Sequence, residues 1–466
     1  MKKYKLIFKI IVWTLIIFLV YLATFALIPP AIHPKGNSKS NKENILQSDY
    51  SGERVLCIND NKEALFRRLQ MISSAKKEII LSTFDFHIDQ SGKRILAALY
   101  AAADRGVNVK LLIDGVSMRL NLQNNNMFRT FMMHKNTEVK AYSKINAFAP
   151  WKWNYRLHDK YLIADNIYMI GGRNTYDLFL GDYKKHKNID RDILVYSKAI
   201  DNKKSSLMLL HDYFEKMWKS DNCSTIYKKT TLKEENQKKL LEINKNLFDE
   251  FPKLCRNPDW KSLTFPSSNI TILVNPKKDF VTDPTLWNNL CAYMKKGKNI
   301  LIQTPYIIFN KKMYKDFTDI CNNCESVNIM TNAVESGANP FGCTDYLTQK
   351  EKIISCGTGV YEYLGVSSMH TKTVLIDDDI SIIGSFNMDE RSAYLDTEMM
   401  IVVEGCSELN KSLRQEYQEM ESKSLHVMPN GDEIPGENYI PRALIGRKKR
   451  FYTFLKYFMH PFRYLL

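Results

Sequence analysis

LHDKYLIADNIYMIGGRN (residues 157–174) and MHTKTVLIDDDISIIGSFN (residues 369–387) are the two stretches on which the reading of this chain turns. Each begins with a His, a Lys two residues later and an Asp five residues after that: His158, Lys160 and Asp165 in the first, His370, Lys372 and Asp377 in the second. Each then runs through an apolar segment, an Asp-containing turn and a second apolar segment. They end on Gly171, Gly172 and Asn174 in one copy and on Gly384, Ser385 and Asn387 in the other. Strand side chains repeat every second residue, so each His shares a face with its Lys. With Asp165-Asn166 or Asp377-Asp378 as the turn, each copy is predicted to be a β-hairpin. The glycines near the end of the return strand let a ligand approach the backbone closely.

An ammonium and an imidazole aimed at one point suit a phosphate. The lysine neutralises charge, the imidazole attacks or donates a proton, and the amides of Asn174 and Asn387, with Ser385, can hold phosphoryl oxygens. Any single His is more often a satisfied core residue. Duplication of the whole surrounding pattern argues against that for both of these.

The repeat extends beyond the motif. A predicted amphipathic helix (Leu65, Phe66, Leu69, Ile72) leads to a strand from Glu78, then to an Ala- and Leu-rich helix and a strand ending at Asp114. In the second half, a helix around Trp287 leads to a strand from Asn299, then to a helix around Phe317 and a strand from Val327. After each motif Asn comes an acid-rich string, Asp190-Arg191-Asp192 or Asp396-Thr397-Glu398, followed by two apolar residues. Matching these strings end to end makes Asp192 and Glu398 the candidates to orient an imidazole, as a buried Asp does in a serine-protease triad.

These residues resemble the phospholipase D superfamily, and GSFNMDERSAYLDTE (residues 384–398) resembles its bacterial cardiolipin synthase branch. The first-half string, RLHDKYLIADNIYMIGGRNTYD, is most similar to the C-type subgroup of that branch. One departure is Asp396, which stands where many relatives have Asn. The resemblance implies an α/β fold of two similar halves, each a mixed β-sheet flanked by helices, around one central cleft. It implies that His158 attacks phosphorus to give a phosphohistidine and that His370 acts as acid and then base, with Lys160, Lys372, Asn174 and Asn387 on the phosphoryl oxygens. Asp165 and Asp377 complete the motifs and are expected among the catalytic residues. No metal and no cofactor is expected, since the lysines supply the positive charge. The implied substrates are phospholipids, phosphatidylglycerol first and phosphatidylethanolamine as a second donor of the same class.

The rest of the chain agrees with a membrane phospholipid enzyme. The chain has 466 residues, 44% of them hydrophobic, enough for two core-bearing units. An apolar run over residues 10–28, preceded by Lys2, Lys3, Lys5 and Lys9, has about the 20 residues that a membrane-crossing helix needs. It is read as a retained single-pass anchor, and the preceding lysines favour the catalytic part on the outer face. The expected organisation is anchor and polar tether over 1–46, first half over 47–200 and a helical connector over 201–268. The second half then covers 269–425 and a basic, aromatic tail 426–466. The net charge of +15 suits nucleic acid or an anionic membrane surface. The tail, in which basic and aromatic residues interleave from Arg447 onward, favours the membrane, and no nucleic acid is expected as a partner. Phe148, Trp151, Trp153 and Tyr155 crowd the approach to the first motif as a candidate apolar lip. Cys321 and Cys324 form a lone C-x-x-C without a second pair, so no zinc site is expected there. A nuclease of the same superfamily would need neither anchor nor aromatic tail, a water acceptor would make the enzyme a phospholipase D, and a non-catalytic scaffold would be expected to have lost a His or Lys.

Overall fold

The computed structural model describes every residue except 1, 32–43, 51, 199–201, 203, 227–233, 276–282 and 338. The predicted polar tether lies outside the described residues apart from residues 44–46, as do residues 201, 203 and 227–233 of the predicted helical connector. Two sheets carry the chain. In the first, the strands Thr137–Tyr142, Asn108–Asp114 and Glu78–Thr83 are parallel neighbours. The hairpin Tyr161–Ala164 and Ile167–Gly171 follows, then Asp192–Tyr196 and Arg54–Ile58, all antiparallel. The second sheet repeats this order with Gly359–Tyr363, Ser326–Asn332, Asn299–Gln303, the hairpin Thr373–Ile376 and Ile380–Gly384, then Met399–Glu404 and Asn269–Val274.

The halves are interlocked at their edges. Ile45–Gln47, ahead of the first half, pairs with Asn269–Val274 in the second sheet, while Phe265–Pro266 pairs back onto Arg54–Ile58 in the first. Ser424–Val427 and Glu433–Pro435 add two strands to the far edge of the second sheet. The two sheets also share an inner core. Ile80, Ile163, Ile170 and Ile193 meet Leu375, Ile383 and Ile401, with Leu210, Phe214, Leu409 and Leu413 from the helices Ser206–Lys219 and Ser407–Glu421. Each such side chain contributes about 1.5–3 kcal/mol on burial, so separating the halves would expose a large part of the molecule's stabilising surface.

Both hairpin turns depend on their aspartates in a way the motif alone did not suggest. Asp165 and Asp377 sit at φ 52° and 46°, in the left-handed region that Asp and Asn tolerate best among side-chain-bearing residues. The Asp165 carboxylate accepts the backbone N–H groups of Lys76, Lys77 and Glu78 at 2.7–3.1 Å. Asp377 accepts those of Lys298 and Asn299 at 2.8–3.2 Å. These carboxylates fasten the turn to the start of the neighbouring strand. They lie at the end of the hairpin away from the histidines, seven residues on, or roughly 24 Å along a strand at 3.4 Å per residue. Their expected place in the catalytic centre is corrected accordingly.

The N-terminal helix Lys2–Ala31 includes a segment, Tyr4–Ala31, long and apolar enough to cross a membrane. Its side chains from Tyr4 to Val20 are exposed, and its last turns meet the loop around Trp151. The tail forms a helix, Gly446–Phe458, and a short turn, His460–Leu465. One face of that helix buries Tyr452 and Leu455, and the helix packs on Pro340–Ile354. Arg463 is held by Asp345 at 2.5 and 3.0 Å. The tail is therefore docked along one side rather than lying wholly in a headgroup layer, while Phe451, Phe454, Tyr457 and Phe458 stay exposed.

Candidate active site

The residues just before each hairpin strand bring the two motifs together from opposite halves. Leu157 pairs with Thr397 in an isolated parallel bridge, and the His158 backbone N–H donates to Thr397 Oγ1 at 3.1 Å. On the other side, Ser368–Met369 pairs in parallel with Asn188–Ile189, and the His370 N–H donates to Ile189 O at 2.7 Å. Each histidine is thus pinned by the half that does not contain it. Its imidazole is too. His158 Nδ1 lies 2.8 Å from Glu398 Oε1, and His370 Nδ1 lies 2.6 Å from Asp190 Oδ2.

This exchange corrects the expectation for Asp192. Sheet register equates Asp190, not Asp192, with Glu398. Gly171 pairs with Asp192, and Gly172 N–H donates to Arg191 O; Gly384 pairs with Met400, and Ser385 N–H donates to Met399 O. Asp192 is instead held by the buried Arg68 and Arg173 at 2.9–3.1 Å. A two-residue slip keeps a side chain on the same face of a strand, so alternation could not separate Asp190 from Asp192. Arg191, between them, faces the other way and ties the halves together, donating to Gln303, Thr373 and Glu416 at 2.6–2.9 Å.

Ser385 is also reassigned. Its hydroxyl donates to Glu398 Oε2, so it orients the carboxylate instead of facing a phosphate. The matching position in the first half is Gly172, where a Cβ would run into the Asp190 carboxylate. One half fills this position with a hydroxyl and the other must leave it empty. Gly172→Ala is therefore expected to displace Asp190 from His370 and lower kcat about a hundredfold, the scale of an ångström-sized misplacement, with the thermal midpoint little changed. Steady-state kinetics beside a melting curve check this.

Lys160 and Lys372 point back along their strands. Lys160 Nζ donates to His158 O at 2.8 Å, and Lys372 Nζ donates to His370 O. Lys372 Nζ also lies 2.7 Å from His370 Nδ1. That nitrogen cannot accept from the lysine while donating to Asp190, and the ionised carboxylate is the stronger acceptor. Both imidazoles then use Nδ1 on a carboxylate, which turns Nε2 of each toward chemistry; Nε2 of His370 lies 3.2 Å from Lys372 Nζ and accepts from it. Asn174 and Asn387 are buried, and each Oδ1 lacks a protein hydrogen-bond partner. A buried amide oxygen without a partner is costly, and a donor on a ligand, such as a headgroup hydroxyl, would relieve that.

The electrostatics are uneven. Burial, with the charges of Lys160 and Lys372, holds His158 well below the usual imidazole range. Burial and Lys372 bring His370 to about 4. Burial lowers Lys160 to about 8 and Lys372 to about 7, against the pull of the surrounding carboxylates. Asp190 is held at about 2, because Lys372 and His370 outweigh its burial. Burial dominates at Glu398, which rises to about 7, and likewise at Asp396, to about 7. A lysine is charged below its pKa and a carboxylate above it. The expected kcat/KM profile is therefore a narrow bell around neutral pH. It falls on the alkaline side as Lys372 and then Lys160 lose charge, and on the acid side as Glu398 protonates. Asp190 stays ionised throughout. Since a bound phosphate favours charged lysines, the alkaline limb of kcat should lie above that of kcat/KM.

Donor atoms of His158, Asp396 and Glu398 lie within 4.8 Å of one another, a spacing that could hold a metal. Glu398 already bonds His158 and Ser385, and Asp396 Oδ2 accepts from Arg391 at 3.1 Å, while Asp396 Oδ1 is buried without a hydrogen-bond partner. Two lysines in the same cluster would repel a dication. The trio reads as a hydrogen-bonded acid network, and sequence reasoning had no signal for its Arg391 arm. Cys321 and Cys324 are partly buried without a disulfide, and Cys324 Sγ lies 3.7 Å from Met294 O.

A family model described as the phospholipase D-like domain of cardiolipin synthase matches residues 69–218 and 290–421, more than half of the chain. The chain belongs to this family. An uncharacterized protein of Helicobacter pylori is 25% identical over 442 residues, covering 86% of this chain and 85% of its own length. Cardiolipin synthase 1 of Staphylococcus epidermidis is 28% identical over 356 residues, 75% of this chain and 64% of that protein. A cardiolipin synthase of Clostridium perfringens is 24% identical over 409 residues, 86% of this chain and 76% of that protein. The crystal structure of phosphatidylserine synthase from Haemophilus influenzae shares the fold. Its TM-score is 0.61 at 16% identity, covering 88% of this chain and 95% of that one.

Proposed function

We propose that this protein is a membrane phosphatidyltransferase that makes cardiolipin from phosphatidylglycerol through a phosphohistidine. The observation that carries the reading is the crossed pair of imidazoles, each with Nδ1 on a carboxylate of the other half and a lysine two residues away. Neutral His158 attacks the phosphorus of one phosphatidylglycerol through Nε2. The bond to the glycerol headgroup breaks with its electron pair on oxygen, and His370 supplies the proton. A substrate phosphate raises the His370 pKa on binding, which is what an acid at this position needs. Once glycerol leaves, a headgroup hydroxyl of a second phosphatidylglycerol gives its proton to His370 and attacks phosphorus. The P–N bond breaks and its electrons return to His158. Lys160, Lys372, Asn174 and Asn387 hold the phosphoryl oxygens through both steps. Phosphatidylethanolamine would serve as donor by the same first step, and water in place of the lipid alcohol would give a phospholipase D.

The cardiolipin synthases among the relatives support the lipid alcohol as acceptor. The apolar N-terminal helix supports a single-pass membrane protein, with the catalytic part on the outer face by the lysines ahead of it. Detergent-purified protein incubated with labelled phosphatidylglycerol tests the reading. Cardiolipin plus glycerol is the expected product pair; phosphatidic acid would turn the reading to hydrolysis, and no turnover would remove phosphatidylglycerol as donor.

A further inference from the structure

The N-terminal helix does not end clear of the catalytic part. The Asn154 side-chain amide donates to Ala26 O at 2.6 Å, the Phe25 and Trp151 rings meet edge-on at 6.2 Å, and the Tyr21 hydroxyl lies 3.4 Å from Phe148 O. The same loop leads straight to the site. Arg391 donates to Asn154 O at 3.0 Å and to Asp396 at 3.1 Å, and Arg156 grips Asp114 two residues before His158. Arg391 also donates to Leu465 O at 3.2 Å, so the tail's last turn closes on the same point.

These contacts fix a depth. A helix needs about 20 residues to cross a hydrocarbon core of roughly 30 Å, and within the apolar segment Tyr4–Ala31 the charge-free run between Lys9 and Pro29 is residues 10–28. If that run spans, Ile28 lies at the boundary of the acyl layer. Phe25 then lies about 5 Å and Tyr21 about 10 Å below it, at 1.5 Å per residue. Whatever touches Phe25 and Tyr21 shares their depth. Phe148 is 81% exposed, an unusual cost for an aromatic side chain in water and an ordinary state for one among acyl chains.

We propose that the loop over residues 146–154 is sunk into the acyl region of the bilayer leaflet from which substrate is drawn, forming the lipid-side entrance to the His158 site. The inference rests on the membrane-lipid reading above. The occupant of this face is the bilayer itself. The anchor thus sets the depth of the cleft as well as tethering it.

Phe148→Trp, which keeps an aromatic side chain, supplies a reporter in the full-length protein reconstituted in phosphatidylglycerol vesicles. The difference in emission between variant and wild type isolates position 148 from the native tryptophans. Quenching by phospholipids brominated on their acyl chains, with little quenching by acrylamide in water, is expected. Quenching by acrylamide alone would place the loop in solvent and overturn the proposal. Protection from both would mean protein covers it, a second copy for example, and would overturn it equally. As a functional arm, Phe148→Asp is expected to lower turnover of bilayer phosphatidylglycerol by about tenfold or more, since a charge is disfavoured among acyl chains, while turnover of a short-chain soluble phosphodiester stays near wild type. Equal loss on both substrates would overturn the entrance role. Wild type inactive on both would overturn the proposed chemistry, whereas quenching still reads the loop's depth.

Discussion

His158→Ala and His370→Ala are each expected to lower turnover by about 10⁴-fold or more, and the double variant should be no worse than either alone. Transfer through a covalent phosphohistidine needs one imidazole to bond phosphorus and another to move the proton, so losing either stops the same sequence of steps. The two variants should differ in what they trap. After acid quench, wild type given labelled phosphatidylglycerol should carry label on protein. With His158 as nucleophile, His158→Ala should carry none. His370→Ala can retain a trace when the substrate has a leaving group good enough to depart without a proton. Label on His158→Ala and none on His370→Ala would exchange the two roles. Near symmetry of the halves makes this exchange a real alternative outcome, because both imidazoles bond a carboxylate through Nδ1. Electrostatics break the symmetry in part: Asp190 is strongly ionised at about 2, whereas Glu398 titrates near 7.

What could be read from sequence followed from periodicity. The strand, helix, strand and hairpin order of each half is written in short apolar runs and Asp turns, and both sheets form with the hairpins at the expected residues. His158, Lys160, His370 and Lys372 were legible because each His–Lys pair sits on one strand face and the pattern occurs twice. The carboxylate partners were only half legible. Glu398 was found, but its counterpart was placed on Asp192 because two acidic strings were matched end to end. Strand pairing is a long-range property, and a two-residue slip conserves every inward and outward side chain. The motif aspartates misled for a related reason. Asp165 and Asp377 belong to the pattern because the turn needs a left-handed residue whose carboxylate caps three or two backbone N–H groups, so they recur with the hairpin instead of with the chemistry. Tail docking through Arg463–Asp345 and the Arg391 junction join residues far apart in sequence, and no local pattern announces them.

The crossed carboxylates give the second large expected effect and separate the two aspartates experimentally. Asp190→Asn and Glu398→Gln are each expected to lower kcat by about 10²–10⁴-fold with the fold retained, because an amide can neither fix the Nδ1–H tautomer nor stabilise the imidazolium that forms as the proton moves. Asp192→Asn should behave differently. It leaves the buried Arg68 and Arg173 guanidiniums without their carboxylate, a loss of about 3–5 kcal/mol for a broken buried pair. Urea titration followed by circular dichroism should show that loss as a lower midpoint. The molecules that remain folded should keep most of their kcat, since Asp192 bonds no imidazole. Glu398→Gln should also flatten the acid limb of the kcat/KM profile, because the carboxylate that titrates near 7 is gone, whereas Asp190→Asn should leave that limb in place. A stable Asp192→Asn protein with a large loss of kcat, beside an active Asp190→Asn protein, would show that the first half uses the other aspartate and that the sheet register assigned here is two residues out.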